Sequence, residues 1–359
     1  MMVSFCWDRA RKACIRCDQQ MKGTFSMTML QKTRRRFLST FAMGGAAGLL
    51  PGPSASAAEG TLETASVRFV KNPAICVAPQ YYSQELLRTE GFSEISYVEA
   101  TDANAVVETI ARGRADFTLA FGVNHIQWID AGAPIVVLAG VHVGCYELFA
   151  VEGIRSITEL KGKSVGLETA SPALLKLMAA NVGLDPEHDI RWVTDPSVKP
   201  LDLFTEGKIE AFLGFPPEPQ ELRARRAGHV ILATAVDRPW SQYFCCMLAG
   251  NRDYVQKYPV ATKRMLRAVL KAADVCVTDP PAVARRLVDG GFTPRYDYAL
   301  QTLSDASYDK WRDFDAEDTI RFYALRLHEA GMIKSTPQKI IADNTNWRFF
   351  DELKRELKA

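Results

Sequence analysis

Apolar positions between residues 66 and 235 fall into short blocks whose spacing alternates between the two-residue period of strands and the helical period. Residues 67–70, 95–98, 115–121, 134–139 and 145–151 predict strands. A loop over 71–79 leaves the first of them. Residues 85–88 read as helical up to a stop at Gly91. Asp102 can cap a helix through Ala111, with Val106, Val107 and Ile110 on one face and Gly113 past its end. Residues 124–131 predict a further helix. The alternation then repeats, with strands expected at 164–167, 190–193, 211–214 and 230–233. Helices are expected from Ser171-Pro172, over 201–206 and over 217–227. Beyond Phe244 the spacing predicts helices alone: one carrying Met265, Leu266, Val269, Leu270, Ala273 and Cys276, one from Asp279-Pro280 to Gly290, and one capped by Asp315 and ending near Gly331. Two strand–helix units with a helical tail predict an α/β fold with mostly parallel sheets.

Composition supports a globular chain: 47% hydrophobic and 24% charged over 359 residues. The formal charge of +2 is unevenly placed. Residues 1–57 carry nine Lys or Arg against two Asp, which leaves a net −5 on 58–359. That body has no basic cluster, so nucleic acid is not an expected partner. The basic segment instead predicts an export signal: Arg34, Arg35 and Arg36 precede Phe37-Leu38, a weakly apolar stretch to Leu50, and the small-residue run Ser54 to Ala58. The paired arginines resemble a twin-arginine signal, which implies passage through the twin-arginine translocase, cleavage after about Ala57 and a periplasmic location. Residues 1–28 precede any ordinary signal, and Met21, Met27 and Met29 are alternative starts. Five cysteines follow the predicted cleavage point: Cys76, Cys145, Cys245, Cys246 and Cys276. Cys276 lies on an apolar helix face and is expected in the core, while the other four lie in segments expected to converge on one cleft. In an oxidising compartment an odd count leaves at least one thiol free. A bond between the neighbours Cys245 and Cys246 would be strained and is not expected, whereas one of them could bridge to Cys145 or Cys76.

Several segments in the right order resemble a known family. Residues 156–166, Ser-Ile-Thr-Glu-Leu-Lys-Gly-Lys-Ser-Val-Gly, are similar to the stretch that enters the second lobe of periplasmic solute-binding proteins. Gly183-Leu184-Asp185 resembles the turn that follows, Glu206-Gly207-Lys208-Ile209-Glu210-Ala211 a later motif, and Asn251-Arg252-Asp253-Tyr254 through Pro259 a helix entry. Together they resemble the nitrate, sulfonate, taurine and thiamine-pyrimidine branch of ABC-transporter binding proteins, over residues 66–345. After the first strand the sequence departs from that family's pattern, reading Ala74-Ile75-Cys76-Val77-Ala78-Pro79-Gln80-Tyr81-Tyr82. The resemblance implies a two-lobed type II periplasmic binding fold: lobe I from 64–150, lobe II from 151–240, and a return over 241–359 with the C-terminal helices packed on lobe I. It also implies a monomer that delivers a small molecule to an inner-membrane ABC permease. No catalytic residue, cofactor or metal is implied.

In open α/β sheets ligands sit beyond the carboxyl ends of the strands. Here those places supply Asn72, Tyr81, Tyr82, Phe121, Gly122, His142, Tyr146, Glu168, Thr169, Ser171, Phe215 and Glu218, with Trp240 and Tyr243 from the return crossing. Aromatic rings suit a planar ligand. Ser171 serves first as a helix cap, whose free amides would also receive an anionic group. Glu168 and Glu218 are surface carboxylates or acceptors for a ligand amine. His142 and His125 are expected to be too isolated for a metal site, and no Ser/His/Asp constellation or phosphate loop is present. These segments contain no Lys or Arg, which favours a neutral or cationic nitrogen-rich ligand over an anion. The first choice is therefore a thiamine-precursor-like pyrimidine, the second a sulfonate, taurine or nitrate. An enzyme like the thiamine-pyrimidine synthase of the same fold, with Cys245-Cys246 as part of its cysteine cluster, is the alternative.

Overall fold

The computed structural model describes residues 59–100, 105–167, 172–194 and 198–358. The predicted export signal, the Asp102 cap and the candidate residues Glu168, Thr169 and Ser171 lie outside them.

The described chain opens with β1 (Ser66–Lys71) and α1 (Ala78–Thr89), then β2 (Glu94–Glu99), α2 (Ala105–Ala111), β3 (Phe117–Phe121), α3 (Gly122–Asp130) and β4 (Ile135–Val143). It continues through β5 (Glu147–Ala150), β6 (Ser164–Gly166), α4 (Pro172–Asn181), β7 (Arg191–Val193), α5 (Pro200–Thr205), β8 (Ala211–Gly214), α6 (Glu218–Arg225) and β9 (His229–Ala233). A return strand, β10 (Phe244–Asn251), is followed by α7 (Arg252–Lys257), α8 (Pro259–Thr278), α9 (Pro280–Asp289), α10 (Tyr296–Asp305), α11 (Ala316–Glu329), α12 (Pro337–Asn344) and α13 (Arg348–Glu356).

The first sheet has the order β2-β1-β3-β10-β4 and the second β7-β6-β8-β5-β9. The orders correspond strand for strand. In each, the core strands run parallel and one inserted strand runs antiparallel to both its neighbours. The inserted strands are exchanged: β5 enters the second sheet directly after β4, and β10 returns to the first after β9. Two crossings therefore join the lobes. Thr234 clasps them together, its hydroxyl accepting from the amides of Cys145 (3.1 Å) and Tyr146 (3.0 Å) and donating to the Tyr146 carbonyl. Gly144 fits the same place because its φ is +65° and a Cβ there would lie 2.3 Å from Ala235.

Two expectations change. Residues after Phe244 do not turn helical at once: β10 is an eight-residue strand, buried throughout. A continuous apolar run is what a central strand covered on both faces requires, and periodicity cannot tell it from a buried helix. The predicted loop over 71–79 also ends early, because Pro79 occupies the first turn of α1 and carries Tyr81 and Tyr82 into the helix. The C-terminal helices pack on the first sheet, with α8, α12 and α13 against β4 and α8 against α1. No helix among the described residues is long and apolar enough to cross a membrane.

Candidate functional site

Where the strands of the first sheet end and the chain crosses between lobes, a small cavity of about 40 Å³ opens. Asn72, Ala74, Cys76 and Val77 line it from the segment after β1, Val106 from α2, Ala120 and Phe121 from β3, and Asn124 from α3. Cys145 and Tyr146 come from the first crossing, Cys246 from β10 and Phe215 from the end of β8. No charged side chain is among them. A ladder of rings closes one wall, with Phe121 against Tyr146 (5.1 Å) and Tyr146 against Phe215 (5.8 Å). The lobes touch at the rim, where the Ile75 amide donates to the Pro216 carbonyl (3.4 Å). A larger concavity, about 580 Å³, lies on the outer face of lobe I between Asp130, Arg252 and Lys339. Two of its charges are already engaged, since Asp130 accepts from the amides of Lys334 and Ser335 and Lys339 pairs with Asp343.

The cavity's deeper wall is a cluster of thiols around one imidazole. β4 runs on to Val143 instead of ending at Ala139, because Gly140 makes room for the Phe244 ring, which a Cβ would meet at 2.1 Å. That extension places His142 in the sheet as the cross-strand partner of Cys246. The register of β10 on β4 shifts on both sides of Cys246, an irregularity of the kind that re-aims side chains. Both neighbouring thiols thereby reach Cys145: Cys245 Sγ lies 2.8 Å from Cys145 Sγ, and Cys246 Sγ lies within 4.8 Å of it. Cys76 joins from a short turn whose carbonyl accepts the Tyr308 hydroxyl (2.8 Å). The sulfurs of Cys76, Cys145 and Cys246 and a ring nitrogen of His142 all lie within 4.8 Å of one another. The expectation that His142 is too isolated for a metal site is thus overturned: Cys145 follows three residues later, and Cys76 and Cys246 meet it across the fold. All five cysteines after the predicted cleavage point, Cys276 included, are free thiols. Burial pushes the Cys145 and Cys245 thiols well above the ordinary range. Cys246 is held well below it by hydrogen bonds from Cys145, Cys245 and Cys76.

Of the other predicted residues, Asn72, Phe121, Tyr146 and Phe215 line the cavity, while several candidates lie elsewhere. Tyr81 is core: its ring stacks on Phe292 and its hydroxyl donates to the Asn72 carbonyl. Tyr82 is half-buried on α1, and Gly122 begins α3 against Met247. Glu218 caps its own turn by accepting from the Phe215 amide (3.1 Å). Trp240 is buried on Tyr323 and Phe322, and Tyr243 stacks on Phe322 at 3.9 Å. Asn124 falls in the predicted cleft segment 121–124, whereas the sequence pattern had not placed Val106 or Ala120 at the cleft. Their signal is the end of a strand or the inward face of a short helix, which becomes specific only once the sheet order is known.

The paired sheets with exchanged strands, and a cavity at the crossings, define a two-lobed type II periplasmic binding fold. Solved structures agree. The periplasmic nitrate-binding protein NrtA from Synechocystis PCC 6803 superimposes with a TM-score of 0.69 at 13% identity, over 83% of this chain and 90% of that one. The alkanesulfonate-binding protein SsuA from Xanthomonas axonopodis pv. citri, bound to MOPS, gives 0.63 at 16% identity, over 77% and 96%. A family model described as NMT1/THI5 like matches residues 83–283. The chain belongs to that family. A putative binding protein of Brucella abortus (strain 2308) is 27% identical over 157 residues, 43% of this chain. The chain spans about half the length of that relative, 49%.

Proposed function

We propose that this protein is a periplasmic receptor that captures a small organic molecule between its lobes and presents it to an inner-membrane ABC permease. The observation that carries this reading is the uncharged cavity at the crossings, walled by both lobes and by the segments that must bend when they part. Hinge closure around a solute would give a closed shape for a permease to read. At about 40 Å³ the cavity holds a few waters but no aromatic ring, so a solute would enter with the lobes further apart. The lining holds three aromatic rings, Asn72 and Asn124, and no Lys or Arg, and the Asn72 amide is already committed to the Leu119 carbonyl and the Ala74 amide. A planar, nitrogen-rich pyrimidine of the thiamine-precursor kind suits that lining first, and a sulfonate, taurine or nitrate second, because an anion would lose hydration without a cation to replace it. Calorimetry with a pyrimidine, taurine and nitrate tests the choice. Micromolar binding of the pyrimidine is expected, reduced by roughly 1–3 kcal/mol in Phe215→Ala through lost ring contact. Tight binding of nitrate or taurine with no pyrimidine binding would reverse the order.

The thiol cluster against the cavity favours a second reading, an enzyme of the thiamine-pyrimidine synthase kind. Turnover by the purified protein, with no permease present, would replace the receptor reading. Export is part of the proposal. Replacing Arg34 and Arg35 by Lys is expected to leave precursor in the cytoplasm, because the twin-arginine translocase reads the guanidinium pair. Normal periplasmic amounts of mature protein would refute that route.

A further inference from the structure

We propose that Cys76, His142, Cys145 and Cys246 together bind one thiophilic d10 cation, Zn(II) or Cu(I), at the floor of the cleft. The inference goes beyond the receptor reading, since it requires neither a solute nor a permease.

Geometry comes first. A tetrahedral site with metal–sulfur bonds of about 2.3 Å has donor–donor edges of roughly 3.8 Å. The four donor atoms already lie within 4.8 Å of one another, so that geometry is at most a fraction of an ångström of inward movement away. They arrive on three pieces of the first lobe and its crossing: the turn after β1, the end of β4 with the crossing that follows it, and the start of β10. Second, His142 is fully buried, and neither of its ring nitrogens has a hydrogen-bond partner. A buried imidazole left wholly unpaired is costly, and coordination would satisfy one nitrogen. Among the described residues the ring packed on it is that of Tyr308, whose hydroxyl is committed to the Cys76 carbonyl. Third, the donor set is three sulfurs and one imidazole with no carboxylate. Such a set selects Zn(II) or Cu(I) and rejects Mg(II) and Ca(II).

Ordinary buried cysteines would not require four such groups around one unpaired histidine. Cys276, buried alone on the apolar face of α8, is the internal example of the ordinary case. Cys245, at 2.8 Å from Cys145, stands beside the site as a spare thiol. Charge balances on binding: three thiols release three protons as the metal–sulfur bonds form, and the neutral imidazole gives a lone pair. Because Cys145 sits in the crossing between lobes, a bound cation would tie the hinge to the first sheet.

The test uses the full chain, produced without a polyhistidine tag and purified without chelator. Elemental analysis is expected to find one equivalent of zinc or copper per chain. Co(II) added to the metal-free protein is expected to give thiolate-to-metal charge-transfer absorption and tetrahedral ligand-field bands. In the wild type, zinc should protect Cys76, Cys145 and Cys246 from alkylation while leaving Cys276 no less reactive, a measurement that depends on no variant folding. Cys246→Ser and His142→Gln should weaken zinc binding by about 100-fold or more, whereas Cys276→Ser should not change it. Four results would each overturn the proposal: no bound metal in a fully reduced protein, Co(II) spectra without thiolate bands, equal zinc affinity in Cys246→Ser and wild type, or a Cys145–Cys245 disulfide in the freshly isolated metal-free protein. Solute binding by a protein that fails these tests would leave the receptor reading standing, and metal binding without any solute binding would do the reverse.

Discussion

The two lobes share one strand order but not one depth of core. In the first sheet β4 and β10 run nine and eight residues, every one buried, beneath a thick layer of helices. In the second, β6 and β7 have three residues each, and Phe149, Leu201, Phe204, Ile209, Phe212 and Leu222 make a small core of their own. The cleft follows the same division. Among the described residues only Phe215 reaches the cavity from the second lobe, while the first lobe and the crossings supply the three thiols and the two Asn side chains. Identical topology therefore leaves room for unequal roles: long, doubly covered strands hold donor groups in place, and a lighter lobe can move against them.

The sharpest way to break that contrast is to empty each core in turn. Phe212→Ala removes the centre of the small core and should cost about 3–5 kcal/mol. Hydrogen exchange should then open β6 and β8 while β4 and β10 stay protected. Uniform loss of protection across both sheets would show that the lobes unfold as one.

Acid should act on the first lobe. Burial holds His125 neutral, with its pKa brought down to about 4, and its Nε2–H donates to the Met247 carbonyl of β10 (3.0 Å). In the unfolded chain the imidazole takes a proton below about pH 6.5. Its contribution is thus complete above pH 6.5 and is lost as pH falls from 6.5 to about 4, by at most roughly 3 kcal/mol. Denaturant melts at pH 7 and pH 4.5 should differ more in wild type than in His125→Gln. Equal differences would remove His125 as the cause.

Smaller still should be the effect at the hinge. Thr234→Val keeps the shape but deprives the Cys145 and Tyr146 amides of their acceptor, at about 1–3 kcal/mol. Faster exchange confined to residues 143–147 and 233–244 is the expected signature. An unchanged crossing with loosened sheets would contradict the clasp.

Apolar blocks along the chain were enough to place nine of the ten described strands, because alternation is a local property that survives in isolation. The same local rules misplaced β10, whose uniform burial erases periodicity, and cut β4 short at Gly140, which looks like a strand breaker until the Phe244 ring is seen to occupy its missing Cβ. They likewise read Tyr81 and Trp240 as cleft rings, although each has an aromatic partner in the core.

What the sequence determined by itself is the supply: short apolar strands, their order of appearance, and four cysteines in segments expected to converge on one cleft. Tertiary structure decided the meetings. Cys145 and Cys245 stand 100 residues apart in the chain and touch because two strands were exchanged between sheets. His142 faces Cys246 only because β4 runs past Gly140 and the β10 register slips beside it. Contact across such separations depends on sheet order and register, which arise from burying each sheet beneath its helices and not from any residue's own preference.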